Sequence, residues 1–297
     1  MLAVAWQVYD RPTDEPSLRV AGWKQLHPGE SDIEFVLTVP RSPNLVYVGG
    51  FLGGNPFKST DGGASWSRVG DAPEDSFERA MLEALAFGFG NAVVDPTAPQ
   101  TLYGADASRD VFKSTNGGAS WARVWRSPRG TDVMALAIDP RRPSILYAGT
   151  SSHDRVLDDA GVLKSTDRGR SWRRTPLRAS SIGFERRLAI AIDPRKPRTL
   201  YVTGGEFFYR STDGGQSWTK LILRAAGLDP SALPLSPSTS SFGPITSLAI
   251  DPSRADTVYV AASDDRGFQN GQETFVLKST NGGESWAVVA RLKGRCT

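Results

Sequence analysis

The sequence predicts an all-β fold: a single β-propeller of four-stranded antiparallel blades, five of them complete, with a partial sixth from the N-terminus. Three observations carry this. A nine-residue box recurs five times: Lys58-Ser-Thr-Asp-Gly-Gly-Ala-Ser-Trp66, Lys113-Ser-Thr-Asn-Gly-Gly-Ala-Ser-Trp121, Lys164-Ser-Thr-Asp-Arg-Gly-Arg-Ser-Trp172, Arg210-Ser-Thr-Asp-Gly-Gly-Gln-Ser-Trp218 and Lys278-Ser-Thr-Asn-Gly-Gly-Glu-Ser-Trp286, with tryptophans 55, 51, 46 and 68 residues apart. A second element precedes each box, as in Ile138-Asp-Pro140 followed by Ile145-Leu-Tyr147 and Ile192-Asp-Pro194 followed by Thr199-Leu-Tyr201; the first copy, Val39-Pro40 then Leu45-Val-Tyr47, lacks the Asp. Finally, 30 Gly and 20 Pro in 297 residues suit a chain of many tight turns.

Each repeat supplies four short strands. The first is an apolar run such as Ala135-Leu-Ala-Ile138, and Asp-Pro marks the turn after it. The second is the Leu-Tyr stretch. The third runs into the box, as in Gly161-Val-Leu-Lys164, and the fourth starts at the box Trp. The box is a turn between the third and fourth strands: its Asp or Asn accepts turn N–H groups, and its second glycine supplies a positive φ. Arg168 replaces the first glycine of the third box while Gly169 is kept, which places the conformational demand on the second. The Trp is expected to bury its ring between blades. The blades span 31–69, 86–125, 133–175, 187–222 and 245–291 within one domain, 1–297. Residues 1–28 form the partial closing blade, because Gly22-Trp-Lys-Gln-Leu26 resembles the fourth strand in Ser217-Trp-Thr-Lys-Leu221.

Composition narrows the function classes. One cysteine, Cys296, excludes an intrachain disulfide and any cysteine-built metal cluster. The net charge of +3 is too mild to point to nucleic acid. No apolar run reaches the roughly 18 residues of a membrane helix, and Met1-Leu-Ala-Val-Ala-Trp6 is too short for a secretion signal. The expected location is cytoplasmic if the chain is complete and extracytoplasmic if a leader was removed. Gly49-Gly-Phe-Leu-Gly-Gly54 has no following Lys-Ser/Thr and is not a phosphate loop.

The box pattern Ser-x-Asp-x-Gly-x-x-Trp is similar to the Asp-box, or bacterial neuraminidase repeat. Its positions here are Ser59, Asp61, Gly63, Trp66; Ser114, Asn116, Gly118, Trp121; Ser165, Asp167, Gly169, Trp172; Ser211, Asp213, Gly215, Trp218; and Ser279, Asn281, Gly283, Trp286. The resemblance covers roughly residues 31–291. It implies a propeller like those of sialidases, xyloglucanase-type glycoside hydrolases, sortilin-type receptors and photosystem II assembly factors, with the boxes structural and away from the active centre. It does not fix function. The early sialidase Arg-Ile/Leu-Pro motif is unmatched by Asp10-Arg-Pro12 or Pro40-Arg-Ser-Pro43. Xyloglucanase-type enzymes usually carry a second propeller that walls their cleft.

Turns after strands one and three share one face and are short. The long, varied loops after strands two and four share the other, which is the expected recognition surface. Leu223–Ile245, rich in Pro and Ser, reads as a lid, and Ser76–Leu85 has a helical pattern. Candidate catalytic carboxylates in these loops are Asp106, Asp132, Glu206 and Asp264, since glycoside hydrolysis needs two flanking the scissile bond. Candidate binding residues are Arg109, Arg126, His153, Asp154, Arg155, Asp265 and Arg266, with Trp125, which falls just beyond its fourth strand, as a sugar-stacking platform. The bland reading of each charge is a solvated loop. The cation before each box reads as a solvated strand position, with a basic ring for acidic partners as the alternative. No nucleophile, metal cluster or phosphate loop stands out, so no cofactor and no metal are expected. The favoured function is a monomeric, non-catalytic scaffold that binds a protein or carbohydrate ligand on the long-loop face, without nucleic acid and without membrane insertion. The alternative is a glycoside hydrolase using paired loop carboxylates.

Overall fold

The computed structural model describes residues 33–39, 42–50, 57–69, 92–105, 110–128, 131–152, 161–178, 188–204, 207–221, 223, 245–263 and 273–293. They form five four-stranded antiparallel sheets arranged as a β-propeller. The first blade holds β1 (Ile33–Val39), β2 (Ser42–Gly50), β3 (Phe57–Ser59) and β4 (Ser67–Arg68). The second holds β5 (Ala92–Val94), β6 (Leu102–Ala105), β7 (Val111–Ser114) and β8 (Ala122–Trp125). The third holds β9 (Thr131–Ile138), β10 (Leu146–Ser152), β11 (Gly161–Ser165) and β12 (Arg173–Arg178). The fourth holds β13 (Leu188–Ile192), β14 (Leu200–Gly204), β15 (Phe207–Ser211) and β16 (Thr219–Leu221), and the fifth β17 (Ile245–Ile250), β18 (Val258–Ser263), β19 (Glu273–Ser279) and β20 (Ala287–Lys293). No helix is present among the described residues. The partial sixth blade of 1–28, the helical pattern at Ser76–Leu85 and the 224–244 lid lie outside them.

Each box is a hydrogen-bonded turn built from its own side chains. In the first, the Ser59 hydroxyl donates to Asp61 Oδ1 at 2.7 Å and accepts from the Gly63 N–H at 2.7 Å. Asp61 accepts from the Ser65 N–H at 2.9 Å and from its hydroxyl at 2.6 Å. The Asn boxes keep the serine bond, and their amides donate to Ser120 and Ser285 at 2.8 and 2.9 Å, which reverses one bond without losing it. Both glycine positions are left-handed, at φ 76° and 93° in the first box, and Arg168 itself adopts φ 64°. The demand for positive φ therefore falls on both positions. The first accepts a side chain at a cost of roughly 1–2 kcal/mol.

The box also ties the two turns of its face together. The N–H at the first glycine position donates to a carbonyl two residues ahead of strand two, Gly117 to Gln100, Arg168 to Ser144, Gly214 to Arg198 and Gly282 to Asp256, and in the first blade Gly62 donates to Asn44 near the start of β2, all at 2.8–3.0 Å. Asp-Pro turns are equally regular. Buried Asp139 accepts from the Arg141 and Arg142 N–H groups at 2.9 and 3.0 Å, and buried Asp193 accepts from Arg195 and Lys196 at 2.8 and 3.1 Å.

Packing runs between blades. Four apolar clusters occupy the four consecutive junctions, each pairing the strand-two Tyr of one blade with the box Trp of the next: Tyr47 with Trp121, Tyr103 with Trp172, Tyr147 with Trp218 and Tyr201 with Trp286. The cation before each box faces that Tyr across the ladder, in the registers Tyr47↔Lys58, Tyr103↔Lys113, Tyr147↔Lys164, Tyr201↔Arg210 and Tyr259↔Lys278. Neither the solvated-strand nor the basic-ring expectation survives for Lys164 and Arg210. Lys164 sits 5.3 Å from the Tyr147 ring centroid and donates to the Gly214 carbonyl of the following blade at 2.8 Å; Arg210 donates to the Gly282 carbonyl at 3.0 Å. Burial first, then neighbouring arginines, lower the pKa of Lys113 and Lys164. The residue three beyond each Trp completes this latch. Val69 stands over Gly118, Val124 over Gly169, Thr175 over Gly215 and Leu221 over Gly283. The outermost strands β4, β8, β12, β16 and β20 contain no Asp or Glu and carry cations such as Arg68, Arg123, Arg173, Lys220 and Arg291.

The boxes set a pH dependence. Hydrogen bonds from Ser65, side chain then backbone, hold Asp61 far below its ordinary 3.8. Ser171 does the same for Asp167, to about 2. Burial opposes the shift at Asp213, but its bonds from Ser217 and Ser211 outweigh it. A depressed carboxylate contributes stability above its unfolded pKa and loses it as pH falls through the folded one. Stability should therefore decline from about pH 3.8 through about 2. Asp167→Asn should flatten that limb in pH-resolved thermal melts, since Asn116 and Asn281 show that the turn accommodates an amide. An unchanged limb would refute the assignment. Burial raises Tyr47, Tyr147 and Tyr201 to about 12, so a second decline is expected between about pH 10 and about 12.

Candidate functional site

The described part of the long-loop face is best formed where the second and third blades meet. Trp125 is the last residue of β8, paired with Val111, not a loop residue beyond the strand. Its ring lies 5.7 Å from that of Trp172 at 49°, and both pack against the junction cluster that contains Tyr103 and Val133. Trp125 is thus half-buried inter-blade core with one part open, and offers less than a free stacking platform. The next residue, Arg126, is exposed and pairs with Asp110 at 3.6 Å; Arg123 pairs with the same carboxylate at 3.1 Å. The Ser127 hydroxyl donates to the Thr131 carbonyl at 3.0 Å, and the Thr131 N–H donates to that of Pro128 at 3.2 Å, which folds the connection back toward the axis.

That return places Asp132 inside β9, opposite Ser151, and not in the preceding loop where the sequence pattern put it. The strand extends further than the apolar run because a register shift opposite Gly149 and Thr150 lets the ladder continue to Ser152. Asp132 gains a further meaning from the topology. The first strands β1, β5, β9, β13 and β17 succeed one another around the axis, neighbours packing in that order. Across all of them only two residues are charged, Glu34 and Asp132, each the second residue of its strand and so at the same end. Sequence reading missed Glu34, because its placement depends on strand register and not on a motif.

The remaining candidates, Asp106, Glu206, Asp264, Arg109, His153, Asp154, Arg155, Asp265 and Arg266, lie outside the described residues. The other acids near strand ends serve turns. Asp95, Asp139, Asp193 and Asp251 hold the turns after first strands, and Asp61, Asp167 and Asp213 hold boxes. The carboxylates whose pKa shifts among the described residues, Asp61, Asp167, Asp213 and Asp251, all shift downward. Among the described residues no cluster of His, Cys, Asp and Glu could hold a metal ion, and no helix is long and apolar enough to cross a membrane.

Comparison with known proteins places this frame. The family model described as BNR/Asp-box repeat matches residues 209–220, the fourth box. A xyloglucanase of Paenibacillus sp is 27% identical over 196 residues, covering 59% of this chain and 18% of that protein; one of Hypocrea jecorina is 25% identical over the same length, covering 59% and 23%. The chain therefore matches about a fifth of the length of these curated relatives. Among solved structures, the GH74 enzyme of Niastella koreensis superposes with a TM-score of 0.56 at 21% identity, over 88% of this chain and 38% of that one. The GH74 xyloglucanase of Xanthomonas campestris gives 0.58 at 18%, over 87% and 38%. At that identity the likeness is one of fold. The chain is thus a β-propeller of five boxed blades whose fourth box matches the BNR/Asp-box repeat and whose fold is like that of the GH74 structures.

Proposed function

We propose that the chain is a non-catalytic binding or assembly scaffold that takes a protein or carbohydrate ligand on its long-loop face. The observation that carries this reading is how the carboxylates are used. Asp61, Asp167, Asp213 and Asp251 are hydrogen-bond acceptors inside turns with lowered pKa, whereas a glycosidase needs one carboxyl with a raised pKa to protonate the leaving oxygen. The exposed edge of Trp125, the Arg126–Asp110 pair and the arginines around them suit polar, planar ligand groups.

A second reading, glycoside hydrolysis, has one specific observation in its favour. Glu34 and Asp132 alone carry charge on the axis-lining strands, at one end of the propeller. Xyloglucanases among the relatives make xyloglucan the first substrate to test. The deciding experiment incubates the folded chain with xyloglucan and a panel of other polysaccharides and follows both binding and reducing-sugar release. Binding without release, weakened several-fold by Arg126→Ala and unaffected by Asp132→Asn or Glu34→Gln, is the expected result. Release that disappears on Asp132→Asn or Glu34→Gln would overturn the scaffold reading and name the acid pair.

A further inference from the structure

Two boxes carry an Asn-Gly pair, Asn116-Gly117 and Asn281-Gly282, where the other three have Asp. Glycine after asparagine is the setting in which the Asn side chain is most reactive, because no Cβ hinders the following nitrogen. That nitrogen attacks Asn Cγ, its proton leaves with the side-chain nitrogen as ammonia, and a five-membered succinimide remains. Water then opens the ring. Opening at the side-chain carbonyl gives Asp. Opening at the main-chain carbonyl gives isoaspartate, in which the backbone runs through the former side chain and is one carbon longer. The Asp boxes react less readily, since an ionised carboxylate is a poor electrophile, and in the third box Arg168 follows the Asp. A third Asn-Gly pair, Asn270-Gly271, lies outside the described residues.

The folded boxes hold both reactants apart. The Gly117 N–H donates to the Gln100 carbonyl and the Gly282 N–H to the Asp256 carbonyl, each at 2.8 Å, so the attacking nitrogen cannot give up its proton without losing that bond. Both glycines are buried. The side chains of Lys58 and Gln100 stand over Gly117, and those of Arg210 and Tyr201 over Gly282. The amides are tied as well. Asn116 Oδ1 accepts from the Ser114 hydroxyl and the Ser120 N–H, both at 2.9 Å, and its Nδ2 donates to the Ser120 hydroxyl at 2.8 Å. Asn281 makes the same three bonds with Ser279 and Ser285, all at 2.9 Å. Gly282 has a further restraint from the fourth blade, whose Arg210 donates from Nη1 to its carbonyl at 3.0 Å.

We propose that Asn116 and Asn281 are sites of self-modification gated by the blade junctions: each loses its side-chain amide when its box opens and keeps it while the following N–H stays bonded. The two products have different consequences. Asp gives the box the form of the first one, where the Ser65 hydroxyl donates to Asp61 at 2.6 Å. Isoaspartate lengthens the chain inside the ring closed by Ser114 and the Gly118 N–H at 2.9 Å, or by Ser279 and the Gly283 N–H at 2.7 Å, and the turn no longer fits. Local opening is reversible until that step and irreversible after it. The two boxes therefore keep a record of how often their junctions have opened.

The test incubates the full chain in mildly alkaline buffer, folded and in denaturant, beside nine-residue peptides of the second and fifth boxes. Peptide mapping reads Asp and isoaspartate at each position over time. Both positions in the folded chain should react about tenfold or more slowly than the peptides, as for groups exposed only on local opening, and should match them in denaturant. Arg210→Ala should speed Asn281 about tenfold, the effect of losing one charge-assisted hydrogen bond, and leave Asn116 in the same chain unchanged. Arg210→Lys should keep Asn281 slow, because Lys164 makes the equivalent bond to Gly214 at 2.8 Å. Folded rates equal to those of the peptides would overturn the proposal. So would an Asn281 rate indifferent to Arg210→Ala, or an equal rise at both positions, which would make global unfolding the gate.

Discussion

Trp286→Ala should destabilise the protein by about 3–5 kcal/mol, the largest loss expected from any box substitution. Trp286 is 2 % exposed, its indole N–H donates to the Gly283 carbonyl at 3.0 Å, and its ring meets Phe208 edge-on at 5.2 Å and 86°. Truncation opens a cavity between the fourth and fifth blades, where Tyr201, Ile250, Val258 and Leu277 also converge. The same substitution at Trp66 should cost less than half as much. That residue occupies the same place in a box with the same Ser–Asp bonds, but it is only half-buried and its indole N–H has no hydrogen-bond partner among the described residues. Denaturant melts of the two variants check this. Equal losses would mean that the Trp serves its own turn and not the junction.

Gly118→Ala is the second large effect, expected at about 2–5 kcal/mol from left-handed strain and overpacking together. Gly118 has φ 94°, and a Cβ there would lie 2.5 Å from Val69 Cγ1 of the preceding blade. Gly62→Ala should cost about 1 kcal/mol, because strain is then the main term: its φ is 76° and its surroundings are open. Adding Val69→Ala to Gly118→Ala should recover part of the loss by making room for the new methyl. Additive losses in that double-mutant cycle would refute the contact.

Much of the frame was legible because a repeat constrains each copy by the others. Box turns, Asp-Pro turns and strand order follow from residue types whose partners lie two to four positions away, as Ser59, Asp61 and Ser65 do. What escaped depends on partners far along the chain. Lys164 bonds a carbonyl 50 residues on and Arg210 one 72 residues on, so local pattern could not separate them from solvated cations. Trp125 and Asp132 were put in loops because their strands continue past the apolar run, the second through a register shift opposite Gly149 and Thr150. The first glycine looked dispensable because Arg168 replaces it. In fact Arg168 adopts the glycine conformation, and its guanidinium lies 3.7 Å from buried Asp95 of the preceding blade.

The outermost strands have a consequence for how copies of this chain behave beside one another. Among the described residues each blade ends in a strand with one unpaired edge, and an unpaired edge is a template on which another chain can add a strand. Here those edges carry arginine and lysine and no acid, and β12 has Pro176 within it, a residue that cannot donate to a ladder. Two such rims brought edge to edge would set cation against cation before any backbone bond formed. The propeller can therefore be crowded without its blades templating fibres, and the protection would weaken in high salt, where that repulsion is screened.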